Sequence, residues 1–378
     1  MKPHSVFRLT LTFIFLLCIF IVISGCDQKG PRVVKVALVA PLTGDIAAHG
    51  QGMKRASQLA IEEAIQSNRF KDFKLELAAF DDRGDPKEAV TIANQIISDP
   101  SILGIVGHLN SGCSIPASQV YARRNVLMIT PASTNPKLTQ QGLRNVFRLC
   151  TTDDVQGKFA ADYAIDKLKI DKAALVHDKT AYGQGLAEEF KKEFQARNGQ
   201  LLSFDGIDVG EKDFKALLTR IKGENPQLVY FGGMHPECGL LSKQAKELGL
   251  SVPVFAGDGI LTPEYAKIGG PATEGDFASM TGLPPEKLPA AGKFLESYHR
   301  RFPKDDMQPY DPYTYEAINI VLDAIEKTGG DRNKMIDYVA KVTYSGILGE
   351  SSFDERGDTR NKLITIYTVR NGKFVYVD

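Results

Sequence analysis

The chain carries no excess of charge of either sign: 46 Lys and Arg stand against 46 Asp and Glu in 378 residues. Such a balance offers no field to hold a polyanion, which argues against DNA or RNA as a partner. No low-complexity or disordered tract is present. Cysteines are few, five in all, and no two stand at CxxC spacing, which argues against a zinc cluster or a dithiol redox motif. Catalytic signatures are missing as well. There is no GxSxG elbow, no HExxH and no GxxxxGK[S/T] phosphate loop. Gly50-x-Gly52 and Gly183-x-Gly185 lack the third glycine of a dinucleotide fingerprint. His108, His177 and His235 fall at strand ends without a ligand-spaced partner, and each reads as a hydrogen-bonded structural histidine. No metal, no cofactor and no enzyme activity is expected.

What is present begins with the first 25 residues. Lys2 and Arg8 precede an apolar run over 9–23, LTLTFIFLLCIFIVI. A membrane-spanning helix needs roughly twenty apolar residues, so this shorter run reads as a secretory signal. Ile23-Ser24-Gly25-Cys26 resembles the bacterial lipobox. Cleavage before Cys26 and acylation of that residue would anchor the protein to a membrane through its lipid. Residues 26–31 read as a tether. Loss of Lys2 and Arg8 leaves 44 basic against 46 acidic residues, so the charge argument stands for the mature chain. With Cys18 removed and Cys26 acylated, Cys113, Cys150 and Cys238 remain, and they read as buried single thiols.

From Val33 the pattern alternates. Strands are expected over 33–39, 75–80, 102–106, 126–129, 173–176, 201–207, 228–231 and 252–256, as β-rich apolar runs flanked by turn residues. Helices are expected between them. Met53, Ala56, Leu59, Ala60 and Ala64 mark one over 51–65, and Asp85-Pro86 reads as an N-cap with Pro at the first helical position. Others are expected over 114–123, 157–168 and 186–197, with a Phe214, Leu217, Leu218, Ile221 stripe and a helix from Pro236 to near Gly249. This alternation implies parallel sheets covered by helices on both faces. Ala48-His49-Gly50-Gln51-Gly52 is echoed by Ala181-Tyr182-Gly183-Gln184-Gly185. Each is expected in a loop that opens a helix, which suggests two equivalent lobes. In open α/β sheets, ligands bind beyond the carboxyl ends of the strands. Hydroxyl residues gather at such ends, in Ser111 and Ser114 and again in Thr130, Ser133 and Thr134. With the N–H groups of the helices that follow, they could hold an anion such as a carboxylate, or they could be N-caps.

Phe80-Asp81-Asp82, Asp85-Pro86-Lys87, Gly107-His108-Leu109, Ile129-Thr130-Pro131-Ala132, His177-Asp178-Lys179, Tyr182-Gly183, the run from Gly210 to Phe214, and Gly232-Gly233-x-His235-Pro236-Glu237 together resemble the periplasmic leucine/isoleucine/valine-binding proteins over nearly the whole mature chain. The resemblance implies the type I periplasmic binding fold: α/β, with two doubly wound parallel-sheet lobes joined by three crossovers and a ligand cleft between them. It implies an exported protein, in the periplasm or on the outer face of the cytoplasmic membrane. It would capture a small amino acid, branched-chain or similar, by hinge closure and deliver it to the permease of an ABC transporter. A monomer is the family default. The implied ligand contacts are Leu109, Ser111, Ala132 and Thr134 in the first lobe. There hydroxyls and N–H groups hold the α-carboxylate, and the Ala132 carbonyl helps hold the α-ammonium. In the second lobe they are Tyr182 and Asp258, the latter standing where the family has a glutamate that pairs with the ammonium. His49 and Met234 occupy positions where tyrosines are usual, so the side-chain pocket differs. Asn110 and Gly84 replace a pair of half-cystines.

The lobes are expected at 32–152 with 281–348, and at 153–280 with 349–378, with crossovers near 150–153, 279–282 and 348–353. Two rival readings remain. One is a ligand-sensing protein of the same fold, of chemoreceptor or amide-sensor type. The other is an exported hydrolase, for which no nucleophile–base pair is visible. A gene regulator of related fold would carry an N-terminal helix-turn-helix where this chain has a signal.

Overall fold

The computed structural model describes residues 31–288 and 290–377. The expected signal sequence, Cys26 and residues 26–30 of the expected tether lie outside the described residues. Among the described residues, no helix is long and apolar enough to cross a membrane.

The chain starts with β1 (Arg32–Ala40), α1 (Ala47–Gln66), β2 (Phe73–Asp81), α2 (Pro86–Ser98), β3 (Ile102–Gly107), α3 (Ser111–Ala122), β4 (Leu127–Thr130), the single turn α4 (Lys137–Gln140) and β5 (Val146–Arg148). These five strands form one parallel sheet in the order β2-β1-β3-β4-β5. Next come α5 (Asp153–Asp166), β6 (Lys172–His177), α6 (Ala181–Ala196), β7 (Gln200–Gly206), α7 (Lys215–Glu224), β8 (Leu228–Gly232), α8 (His235–Glu247), β9 (Val254–Ala256), α9 (Pro263–Gly269) and β10 (Phe277–Thr281). The chain then returns to the first sheet. Of α10 (Gly292–Arg301), α11 (Asp311–Thr328) and α12 (Arg332–Val339), α11 packs on α1, β3 and β4. A small hairpin follows, β11 (Tyr344–Gly346) with β12 (Gly349–Ser351). Finally β13 (Ile364–Arg370) and β14 (Lys373–Tyr376) close the second sheet, whose order is β14-β13-β10-β9-β8-β6-β7. That sheet is parallel from β10 to β7 and antiparallel at the β13–β14 edge. The molecule is thus an α/β protein of two parallel-dominated lobes.

Local chemistry explains the elements. The Asp85 carboxylate accepts from the N–H groups of Lys87 and Glu88, with Pro86 at the first helical position, a side-chain cap for donors that have no partner within the helix. Ala89, Ile92, Ala93 and Ile96 are then buried along one face of α2. In α6, Ala187, Phe190 and Phe194 point inward, and Phe190 stacks on Tyr230 of β8 at 3.8 Å between ring centroids. Phe214, Leu218 and Ile221 are buried and Leu217 half-buried. Cys113, Cys150 and Cys238 are free and buried.

Two expectations need correction. The paired motifs His49-Gly50 and Tyr182-Gly183 do not sit in loops; they lie inside the first turns of α1 and α6. The helices start early because their N-termini press against the strand ends, where only glycine fits. A Cβ on Gly50 would lie 2.0 Å from the Pro41 carbonyl oxygen, and one on Gly183 would lie 2.4 Å from that of Gly232. These glycines permit close approach of the helix to the strand end. Secondly, the segment after β12 does not join the second lobe at residue 349. Asp358 bridges to Arg148 beside β5, and Phe353 pairs with Thr359, so the chain stays with the first sheet until it approaches β13. The buried ion pair between Arg148 and Asp358 holds it there.

Candidate functional site

The carboxyl ends of the two sheets face each other, and the loops leaving them form the walls of one cleft. From the first sheet come the start of α1 with His49, the β3–α3 loop with Leu109 and Ser111, and the β4–α4 loop with Ala132 and Thr134. From the second come the start of α6 with Tyr182, the β8–α8 junction with Met234 and His235, and the 3-10 turn Asp258–Ile260 after β9. The walls touch: the Asn135 amide donates to the Ala181 carbonyl at 2.5 Å.

Asp258 is fully buried, and its carboxylate joins second-lobe side chains to Tyr310 of the first lobe. Oδ1 accepts from the Tyr182 hydroxyl at 2.9 Å and the Gln156 amide at 3.0 Å; Oδ2 accepts from the Tyr310 hydroxyl at 2.6 Å. The Tyr182 oxygen also accepts from the Gly259 N–H at 3.0 Å. All these donors are neutral. Burial raises the pKa of Asp258 above the usual carboxylate range, and bonds from Tyr310, Gln156 and Tyr182 offset only part of that rise. Met234 is buried beside the same turn: a Cβ on Gly259 would lie 2.9 Å from its Sδ and 3.0 Å from a Tyr182 ring carbon.

A second acid, Asp153, opens α5. It is fully buried, and neither carboxylate oxygen has a hydrogen-bond partner in the protein. Burial pushes its pKa well above the carboxylate range; the Thr134 hydroxyl counters this, and the charge of Asp258 adds to it. That hydroxyl stands beside Asp153 outside hydrogen-bond geometry, so Thr134 Oγ1 is also buried and unpartnered. Arg148 is the basic group nearby, and its guanidinium is committed elsewhere: to Asp358, to Thr139 Oγ1, and to the carbonyls of Ser133 at 3.0 Å and Asn135 at 2.8 Å. It therefore fixes the β4–α4 loop. Hydroxyls within the wall finish that task. Thr130 Oγ1 accepts from the N–H groups of Ala132 and Ser133, Ser133 Oγ donates to the Leu109 carbonyl, and Ser111 Oγ accepts from the Asn135 N–H at 3.2 Å. No hydroxyl side-chain cap is made at α3, whose N-cap residue is Asn110.

His49 is completely buried, with both ring nitrogens unpartnered. Its ring lies edge-on between His235, 5.4 Å away, and Tyr310, 5.5 Å away. Burial, reinforced by His235, pushes its pKa down to about 3, and burial lowers His235 to about 4. His235 Nδ1 is unpartnered too. The Asp45 and Gly259 backbones lie beside the His235 ring. The His108 ring nitrogens meet Asp82 Oδ2 at 2.6 Å and the Tyr121 hydroxyl at 3.1 Å. His177 Nδ1 accepts from the Lys179 N–H.

The eight candidate residues therefore fall in two groups at the carboxyl ends of the two sheets. Tyr182, Met234 and Asp258 interlock directly, and His49 reaches them through Tyr310. Leu109, Ser111, Ala132 and Thr134 form the opposite wall. Sequence reasoning missed Asp153, Gln156, His235 and Tyr310. No motif marks Gln156 or Tyr310, and an acid in a helix's first turn is what the helix dipole favours anyway.

Two lobes that close the polar ends of their strands over one buried cleft define a solute-binding receptor. This chain belongs to the periplasmic binding protein family, whose model matches residues 33–373. It is 36% identical over 349 residues to the Leu/Ile/Val-binding protein homolog 1 of Brucella melitensis, covering 91% of this chain and 93% of that protein. An amino acid binding protein of Pseudomonas aeruginosa is 33% identical over 347 residues, 91% of this chain and 92% of its own length. Among solved structures, the leucine binding protein LivK of Thermotoga maritima superposes with a TM-score of 0.85 at 32% identity, covering 91% of this chain and 98% of that one. The chain is accordingly a binding protein and not an enzyme.

Proposed function

We propose that this protein is an exported, lipid-anchored receptor that captures a free α-amino acid by closure of its two lobes and passes it to the permease of an ABC transporter. The observation that carries this reading is a pair of buried carboxylates, Asp153 and Asp258, that no basic side chain among the described residues contacts; Arg148, the cation nearby, is committed to Asp358. Burying charge without an opposite partner is costly. A ligand ammonium supplies that partner, and the Ala132 carbonyl lies in the facing wall to help hold it. The α-carboxylate belongs to the Thr134 and Ser111 hydroxyls and to N–H groups of the β3–α3 and β4–α4 loops. The names of the relatives, Leu/Ile/Val-binding, leucine binding and amino acid binding, support the same ligand class.

Closure brings partners from both lobes to the ligand's two charges at once, so the ligand favours the closed state by differential affinity. The lobes are taken as 32–152 with 281 to about 360, and 153–280 with the final strands. Cys26 is the acylated residue, and the chain works as a monomer. Calorimetric titration of the unfolded and refolded mature protein against the common amino acids and a set of neutral amides tests the reading. Binding of an α-amino acid that weakens by roughly 2–5 kcal/mol in Asp258→Ala supports it. Binding of an amide and of no zwitterion would remove the ammonium and carboxylate roles.

A further inference from the structure

The cleft holds more unmet polarity than an amino acid's backbone groups can satisfy. His49 comes from the first lobe, in the first turn of α1; His235 comes from the second, as the first residue of α8. Their rings meet edge to face at 5.4 Å across the cleft. Three of their nitrogens, His49 Nδ1 and Nε2 and His235 Nδ1, are buried without a hydrogen bond. A neutral imidazole needs both an acceptor and a donor, and the protein gives His49 neither. Tyr310 packs on the ring but donates its hydroxyl to Asp258. The Gly259 backbone lies beside both rings and the Asp45 backbone beside His235, yet both nitrogens of His49 stay without a hydrogen bond. Met234, adjacent to His235, offers only a thioether. Nearly all buried polar groups find partners in folded proteins, and a cluster of exceptions in a binding cleft marks groups reserved for a ligand.

We infer that the ligand's side chain ends in a neutral hydrogen-bonding group, a carboxamide or a hydroxyl, received against the His49–His235 pair, and is not a branched aliphatic chain. This rests on the amino-acid reading above. A carboxamide matches the pair well, since its N–H donates to one ring and its oxygen accepts from the other. A branched aliphatic chain in the same place would seal these nitrogens away from every partner. An acidic side chain would add a third negative group to a cleft that already holds Asp153 and Asp258, and the two rings stay neutral there.

Isosteric pairs test the inference: asparagine against leucine, threonine against valine, and glutamate against glutamine, titrated into the refolded mature protein. The polar neutral member of each pair should bind at least roughly tenfold more tightly, as expected when buried donors are otherwise left unmet. His49→Phe, which keeps a ring and removes its nitrogens, should shrink the asparagine-to-leucine ratio at least tenfold. A purely structural role for His49 would weaken both ligands alike and leave the ratio unchanged, overturning the inference. Tighter binding of leucine or valine in the wild type overturns it as well and leaves the amino-acid reading intact. Tighter binding of glutamate than of glutamine overturns the neutral class. Absence of binding by every α-amino acid overturns both readings together.

Discussion

Asp153 and Asp258 share one cleft and differ in what surrounds them. Asp258 has three neutral donors, while Asp153 has none. That difference separates an acid held by the protein from one left for the ligand. Asp153→Asn should change the thermal stability of the open, ligand-free protein by no more than about 0.5 kcal/mol, because in that state the carboxylate is in water. The same substitution should weaken amino-acid binding, so titration should move while melting without ligand does not. Arg148 behaves differently. Arg148→Met leaves Asp358 without its buried partner and frees the carbonyls of Ser133 and Asn135. A loss of about 3–5 kcal/mol in chemical denaturation is expected. Asp258 and Tyr182 were legible as neighbours of one loop cluster, and their side chains meet in the second lobe. Asp153 was not, because its position also suits the dipole of α5. His235 was not either, since a sequence does not reveal which histidine leaves a ring nitrogen without a partner.

At the scale of elements, apolar periodicity located most strands and helices through β9, because one buried face imposes its spacing on the sequence. Helix starts were less legible. The helices α1, α3, α5 and α6 begin three to five residues before their first expected residue, since their opening turns carry His49, Ser111, Asp153 and Tyr182 rather than apolar side chains. The sequence also predicts no strand for β5, whose three buried residues are too few to show a period. Helices α9 to α12 went unpredicted as well, although α11 buries most of its surface and so lacks a clean polar face. The glycines of α1 and α6 are testable at this scale. Gly183→Ala would force a Cβ within 2.4 Å of the Gly232 carbonyl oxygen and 2.2 Å of Asp178 Oδ1. It should destabilise the fold by about 1–3 kcal/mol or more and shift Tyr182, so affinity should fall with stability.

At the scale of the whole molecule, closure couples to pH. In an open cleft, both histidine rings regain water and their ordinary value of about 6.5. In the closed form, the values are about 3 for His49 and about 4 for His235. Around His49 stand His235, Tyr310, the Gly259 backbone and, farther off, Glu264; around His235 stand His49, Asp45, Glu264 and Gly259. The two rings therefore bind fewer protons in the closed form than in the open one. Affinity should be full above pH 6.5 and fall as the pH drops below it, by up to about tenfold per pH unit for each ring. Titration from pH 7.5 to 5 reads this slope, and His49→Phe should halve it. A flat profile would mean that the rings do not change their exposure on closure.

The unpartnered groups of the cleft also bear on the fidelity of the signal that a receptor sends to its membrane partner. A permease that engages the closed lobes has no direct view of the cargo and must infer it from their shape. If the lobes could close at no cost around water, every resting receptor would imitate a loaded one and set ATP hydrolysis running with nothing to carry. The desolvated carboxylate of Asp153 and the stranded nitrogens of His49 make such a false closure expensive. In the proposed transport role, the polarity that selects the ligand would thereby also keep the permease idle until the ligand has arrived.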